Sequence, residues 1–551
     1  MIGRLRQSVL LAVVFFALNH VGVISGAISP PAGYRAAWVI RNLDIPQYIT
    51  WINESRHRLL LADLHAPWQT GPGLFEPLFW LIARIPLPTL FAYYLAHFTL
   101  FCGAFYALLC AAEAFCRGRE KWIALAAALC AVPLYLFGWA AAFVCNSLKW
   151  QAVFASGLLD YGYDSADGLF RGGLSNSPTL TMGTIFVLVS MTLLAKYAES
   201  SARKFWIALC AVTFVSALMH PFEVFLIVAA SAVPLLMRRR IFDWLGVGIS
   251  GFLGLTPYLL LGIKSEWLRD AGDISPSSFH PLTIAAKFGL PCIAAAYFLA
   301  MRFRMPLPSD VVLKSWFISI PILFVLPGVP FPLHLLNGFA YCTGFLLVRR
   351  LATDKQIRPA MERHPRAAWG IFGALGALSA AALAVFYAQV WRDGKNPDPL
   401  WLLNTLERTE QKTLIDWVRD HSAPDALVFA PIDVAPWLAT IPRTTFASHD
   451  LFSITYPKQA EEVEKAAKGE IPMQEIVDRY GVRIAVIPAK SAARIPAENW
   501  RADIGPWKIY EFPGAKLKPY PGLKVLDPGV RRSARSRVLG WIANCCGKRQ
   551  E

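Results

Sequence analysis

Apolar stretches long enough to cross a bilayer recur along most of this chain, and the clusters of Lys and Arg between them fall on one side. About 20 apolar residues span a membrane as a helix, and such a segment must satisfy its backbone polar groups internally. That restricts the chain to a polytopic α-helical membrane protein. The mean hydropathy of +0.41 agrees, as does a charged fraction of only 17% over 551 residues. A soluble chain of this length would divide into several domains with polar surfaces. The net charge of +16 would suggest nucleic acid in a soluble protein. Here the excess of basic residues in cytoplasmic loops of membrane proteins accounts for it, and no nucleic-acid partner is expected.

The pattern predicts about eleven spans, at roughly 8–28, 87–115, 121–145, 177–197, 204–220, 222–237, 241–263, 281–301, 311–329, 332–349 and 367–390. Arg4 and Arg6 precede the first, so residues 1–28 read as an uncleaved first helix, although a signal peptide has the same outline. The clusters Arg117–Lys121, Lys196–Lys204, Arg238–Arg240, Arg302–Arg304 and Arg349–Arg366 then share the side of Arg4, which sets the N-terminus in the cytoplasm. The domain plan that follows is a transmembrane part at 1–390, an extracytoplasmic α/β domain at 391–515 and a basic tail at 516–551. Two long outer loops, 29–86 and 146–176, belong to the transmembrane part. In the α/β domain, Glu410–His421 and Ala460–Tyr480 read as helices, and Ala426–Pro431, Arg483–Pro488 and Trp507–Phe512 as strands. The domain carries no Gly-rich phosphate loop and no G-x-S-x-G nucleophile motif. The tail beyond Arg531 mixes basic residues with Val538, Leu539, Trp541 and Ile542, which suits either an anionic membrane surface or a disordered tail.

Of the ten cysteines, Cys102, Cys110, Cys130, Cys210, Cys292 and Cys342 lie within apolar runs and act as small hydrophobes. No CxxC pair or His/Cys ligand spacing occurs.

The first outer loop carries the leading candidate. Ile45, Tyr48, Ile49 and Ile52 recur at helical spacing, with Asp44, Gln47, Trp51 and Glu54 away from that stripe. Such a helix would lie in the membrane interface, and Phe75–Ile85 reads as a second interfacial or re-entrant piece. Asp44 has two readings. In a water-poor pocket it would serve as a general base toward an acceptor hydroxyl. It also stands where a helix N-cap should stand, with Pro46 in the first turn and Gln47 completing a D-x-x-Q capping box.

Other candidates sit at the same outer boundary. Asp160, Asp164 and Asp167 suit either a solvated loop of turn residues or a hard divalent cation, although their spacing is not that of an EF-hand. Arg171 has the planar fork that suits phosphate oxygens. His220 and Glu223 flank Pro221 where one span ends and the next begins, and ionisable groups at membrane depth are costly and usually functional. Lys264, Arg269 and Arg443 are further outward basic residues for a phosphate, and His449–Asp450 is a weaker pair.

A first span followed by a long outer loop with an early Asp, then many spans and a final soluble domain, resembles the GT-C superfamily. These are integral-membrane glycosyltransferases such as protein O-mannosyltransferases, aminoarabinose transferases and oligosaccharyltransferases. The segment WVRDHSAPDALVFAP at Trp417–Pro431 resembles the start of the outer domain in many bacterial members. RGGLSNSP before the fourth span and HPFE after the fifth are similar to segments of a largely uncharacterised bacterial branch. The resemblance implies a polyprenyl-phosphate-linked sugar as donor, and a glycan, lipid or protein acceptor at the outer face of a bacterial inner membrane. It also implies inversion at the anomeric carbon and a catalytic role for Asp44. Asp44 lacks the acidic neighbour of metal-binding oligosaccharyltransferases, being flanked by Leu43 and Ile45. Trp437 stands alone, without a WWD-like motif. A lipid or sugar transporter, or a non-catalytic scaffold, are the alternatives.

Overall fold

The computed structural model describes residues 2–37, 44–61, 75–118, 120–129, 177–264, 307–325, 335–353, isolated positions between 359 and 395, 406–423, 426–441, 443–447 and 456–518. The chain divides into two compact units, with the change falling between Lys412 and Thr413.

The first unit is helical. Its elements are α1 (Ile2–Asn19), α2 (Val21–Ile28), β1 (Tyr34–Ala36), α3 (Asp44–Ser55), α4 (Pro77–Ala83), α5 (Thr89–Phe115), α6 (Glu120–Leu129), α7 (Pro178–Ser200), α8 (Arg203–Met219), α9 (Glu223–Leu236), α10 (Ile241–Lys264), α11 (Pro308–Val325), α12 (Phe339–Thr353) and β2 (Leu406–Arg408). β1 and β2 pair antiparallel, Tyr34 opposite Arg408. The first expected span is broken at His20, between α1 and α2. The His20 ring bonds the Phe16 carbonyl (2.7 Å) and packs on the Phe16 ring at 4.2 Å.

α7 is the central helix. It packs against α5, α8 and α11, while α9 packs on α11 and α12 on α6. The shared core includes Phe101, Phe105, Val187, Leu188, Met191, Trp316, Phe339 and Phe345. α1 and α10 lie at the rim and expose large apolar side chains, with Phe242 82% and Leu10 66% accessible. Apolar surface on this scale is stable only under lipid or a partner. Among the described residues, four helices are long and apolar enough to cross a membrane: Ile2–Asn19, Thr89–Phe115, Pro178–Ser200 and Ile241–Leu261. The expected span at 281–301 lies outside the described residues, as do most residues of the one at 367–390.

Charge is sorted by helix end. Arg4, at the start of α1, pairs with Glu113 at the end of α5 (3.4 Å). Arg349, near the end of α12, holds Asp310 at the start of α11 (2.9 Å) and Glu120 at the start of α6 (3.3 Å). Ser309 donates to Glu199 at the end of α7 (2.9 Å). Asp243, opening α10, accepts from Tyr197 and Arg203, each at 2.5 Å. With Lys121 of α6 on Glu113 (3.6 Å), these contacts chain α1, α5, α6, α7, α8, α10, α11 and α12 together at one end of the bundle.

The second unit is a five-stranded sheet between two helical layers. The chain enters it within α13 (Thr409–His421) and continues through β3 (Leu427–Phe429), α14 (Ala435–Ala439), β4 (Thr444–Thr445), α15 (Tyr456–Lys468), α16 (Met473–Tyr480), β5 (Ile484–Pro488), β6 (Trp500–Ile504) and β7 (Trp507–Glu511). The strand order is β4-β3-β5-β7-β6. β3 runs parallel to β4 and β5, and β7 antiparallel to β5 and β6. Alternation along the strands divides the core. Leu427, Phe429, Ala485 and Ile487 pack with Met473, Ile476 and Tyr480 on one face. Val428, Ile484, Val486 and Ile509 pack with Leu414, Val418 and Leu438 on the other. The sequence expectation of one helix over Ala460–Tyr480 is corrected here. Gly469 turns the chain at a φ of +76°, and Pro472 then opens a second helix.

The Arg349–Asp310 pair is nearly sealed, with side chains 5% and 1% exposed. Removing one partner strands the other charge, at a cost of about 3–5 kcal/mol. Thermal unfolding in detergent should therefore show Arg349→Met strongly destabilised and the double variant with Asp310→Leu partly restored. A double variant no better than the single one would contradict this account of the pair.

Candidate functional site

The opposite end of the bundle is richer in hydroxyls and amides, beginning with α3. Pro46 in its first turn fixes the entry geometry, and the Pro46 carbonyl accepts from Thr50 Oγ1 (2.8 Å). Its far end is tied down by Asn53 to Thr89 (2.5 Å), by Arg84 to the Ser55 carbonyl (3.2 Å), and by Arg58 to the buried Glu54 (2.9 Å). Tyr48 and Trp51 pack on Phe79 of α4, with ring centroids 5.0 and 5.3 Å apart. Helix α3 is thus a braced platform. Burial does not follow the apolar stripe alone: Gln47, Trp51 and Glu54 are buried, whereas Tyr48 and Ile49 of the stripe are only half-buried.

A second group forms where α8 gives way to α9. Pro221 disfavours helical backbone in the residue before it, and His220 is extended, with φ −153° and ψ 94°. Two residues later Glu223 opens α9, where the helix N-terminus favours a negative charge. His220 Nδ1 meets Glu223 Oε2 at 2.6 Å, and Asn337 Nδ2 donates to Glu223 Oε1 at 2.5 Å. His220, Glu223 and Asn337 are all buried. The carboxylate rests against Gly183 of α7, where an added Cβ would collide with Glu223 Oε1 and Asn337 Nδ2. Gly338, at a φ of +76°, turns the chain after Asn337 into α12.

The first two turns of α7 join these groups. Tyr48 Oη lies 3.0 Å from Ser177 Oγ, which lies 2.6 Å from Thr179 Oγ1. Gly183 follows Ser177 by six residues, about 9 Å along a helix at 1.5 Å per residue. In helical register Asp44, Gln47, Tyr48 and Trp51 share one face of α3, so Asp44 stands one turn before the Tyr48–Ser177 contact. The Asp44 side chain lies outside the described residues.

Glu76 is a member that the sequence reading missed. It precedes α4 as a lone carboxyl in the apolar run Phe75–Ile82. Glu76 is half-buried, and desolvation by its surroundings pushes its carboxyl up to about 8, toward the neutral form at pH 7. Tyr258 of α10 donates to the Leu218 carbonyl (3.0 Å), two residues before His220. A neutral carboxyl at Glu76 can donate a hydrogen bond without repelling an anionic ligand.

The remaining sequence candidates divide in two. Arg443 is buried and committed to a helix end: its guanidinium bonds Ser422 Oγ (2.8 Å) and the carbonyls of Arg419, Ser422 and Ile441 (2.8, 2.8 and 3.2 Å). It closes the C-terminus of α13, and we leave it out of the site. Asp160, Asp164, Asp167, Arg171, Arg269, His449 and Asp450 lie outside the described residues, as does the Lys264 side chain. Among the described residues no three His, Cys, Asp or Glu side chains gather as a metal site.

With this geometry in place, solved structures supply the comparison. ArnT from Cupriavidus metallidurans bound to undecaprenyl phosphate aligns with a TM-score of 0.50 at 12% identity, over 92% of this chain and 99% of that one. The two chains share a fold. The oligosaccharyltransferase of Archaeoglobus fulgidus tethered with an acceptor peptide aligns with a TM-score of 0.42 at 14% identity, covering 88% of this chain and 69% of that one. Arabinofuranosyltransferase AftD from Mycobacteria aligns with a TM-score of 0.47 at 14% identity, covering 92% and 41%. No protein-family profile and no curated protein matches the sequence. At 12% identity the likeness to ArnT is one of fold. Mostly helical and with several apolar helices, this chain is a multi-pass membrane protein.

Glu76 carries a pH signature. Its ordinary value is 4.5, so between pH 4.5 and 8 the folded protein holds a proton that the unfolded chain releases. The stability from this neutral carboxyl is fully present below about pH 4.5 and is lost as pH rises through 8, by at most about 1.4 kcal/mol per pH unit. Glu76→Gln, a fixed neutral mimic, should gain melting temperature over the wild type at pH 8 and gain little at pH 5. An equal difference at both values would contradict the desolvation of Glu76.

Proposed function

We propose that this protein is a membrane glycosyltransferase. It would move a sugar from a polyprenyl-phosphate donor to an envelope glycan, lipid or protein acceptor, with inversion, at the outer face of a bacterial inner membrane. The observation that carries the reading is the joining of two features at one bundle end. The α3 face bearing Asp44 is tied through Tyr48 and Ser177 to the helix against which the His220–Glu223–Asn337 group packs. A polar, braced site at the end of a bundle of apolar helices suits a ligand with an apolar tail and a phosphate-linked sugar. The GT-C fold, and the undecaprenyl phosphate held by ArnT, support the same ligand class.

In this reading Asp44 takes the proton of an acceptor hydroxyl as that oxygen bonds the anomeric carbon. The bond from the anomeric carbon to the phosphate oxygen breaks, and polyprenyl phosphate leaves. Donors already oriented toward the leaving oxygen lower the barrier because they need no reorganisation. His220, fixed through Nδ1 by Glu223, and the neutral carboxyl of Glu76 are such groups on this chain, and Arg171, Lys264 and Arg269 are proposed beside them. A divalent cation at Asp160, Asp164 and Asp167 remains part of the proposal. In this reading the N-terminus is cytoplasmic and the α/β domain, expected from the sequence at 391–515, is extracytoplasmic.

The test is mass spectrometry of envelope glycans and glycolipids in a deletion strain carrying either wild type or Asp44→Asn at matched membrane levels. Loss of a general base costs about 10²–10⁴-fold in rate. Wild type should restore a missing sugar, and Asp44→Asn should leave it at or near the deletion level. Equal restoration would assign Asp44 to the helix start alone, and a deletion that changes no glycan would contradict glycosyl transfer.

A further inference from the structure

Gln47 is buried, 2% exposed, and among the described residues its Oε1 has no hydrogen-bond donor. A capping box would have used this oxygen, accepting from the backbone N–H of Asp44. The helix instead begins at Asp44, and that bond is not made. Buried acceptors nearly always have a partner, and one left open is destabilising. Other buried polar atoms also have no partner, including Ser55 Oγ and Trp316 Nε1. Gln47 is the one within a turn of Asp44 in sequence, and three residues along a helix place it on the Asp44 face. Its neighbour Tyr48 ties that face to Ser177.

We propose that the Gln47 amide is a ligand-reading group, its Oε1 accepting a hydrogen bond from a sugar hydroxyl of the substrate that reaches Asp44. The inference rests on the transferase reading above and adds to it a specificity-determining contact. An amide oxygen in a buried site discriminates strongly for a hydroxyl at one ring position, because an analogue lacking it leaves the acceptor unpaired. The hydroxyl belongs either to the donor sugar or to a sugar acceptor, and the two give different kinetics.

The experiment uses full-length protein in liposomes. The donor probe is the lipid-linked sugar fraction extracted from the deletion strain, and the acceptor probe is that strain's membranes. Release of polyprenyl phosphate is followed by mass spectrometry while each probe is titrated at a fixed level of the other. Gln47→Met removes the acceptor at nearly constant volume. It should melt at or above the wild-type temperature, yet need about tenfold more of one probe for half-maximal release. Gln47→Glu, which retains an oxygen at the same reach, should recover part of that shift. A shift in the donor titration assigns the hydroxyl to the donor sugar, and a shift in the acceptor titration assigns it to the acceptor.

Gln47→Met indistinguishable from wild type in both titrations, with Asp44→Asn inactive, overturns the proposal and leaves the transferase reading standing. Loss of activity together with a lowered melting temperature makes Gln47 a packing residue and also overturns it. A wild type that releases no polyprenyl phosphate overturns both.

Discussion

A bilayer gives no hydrogen bonds to the helices that cross it, so polar side chains are costly between the ends of a span. In the long described helices the Asp, Glu, Lys and Arg residues fall within the two terminal turns. The consequence is a bundle with two unlike ends. One is an ion-paired collar in which Arg349, Asp310, Glu120, Asp243 and Arg203 join neighbouring helices. The other holds hydroxyls, an amide, an imidazole and carboxyls tied to one another in a way that fixes their orientation. A transporter would place ionisable groups near the midplane, where the described helices carry mainly apolar residues, with His97 of α5 as a buried exception.

The working end depends on local backbone chemistry. Pro221 takes His220 out of α8 and lets Glu223 begin α9, so two residues close in sequence meet at 2.6 Å. Gly183 supplies a surface without a side chain, against which the Glu223 carboxylate packs. Without that gap the carboxylate could not take the Asn337 amide as well. On α3, the brace to Phe79, Thr89 and Arg84 sets the register of Asp44 with little residual freedom.

Much of this was legible in the sequence, because apolar length and basic clustering are strong signals. HPFE declared both a helix break and an ionisable pair, and β3, β5 and β7 were legible as short strand runs, whereas β4 and β6 were not. What stayed hidden was long-range or relative. Asn337 lies 114 residues from Glu223, and nothing local in its sequence points to that partner. Glu76 had a visible signal, a lone carboxyl in an apolar run, but its shift depends on what surrounds it. The periodicity of α3 identified the helix but not its burial, since Gln47 and Glu54 are covered as well. Gln47 fitted a capping motif by spacing, and only the geometry revealed that its oxygen is not used there.

The most direct measurement is a cryo-EM structure of the full chain in lipid nanodiscs with added undecaprenyl phosphate. The account predicts phosphate density at the bundle end built by α3, Ser177 and His220, with the lipid tail running down the helices from there. Phosphate density at the opposite end, against the Arg349–Asp310 collar, or lipid excluded from the α3 end, would contradict it.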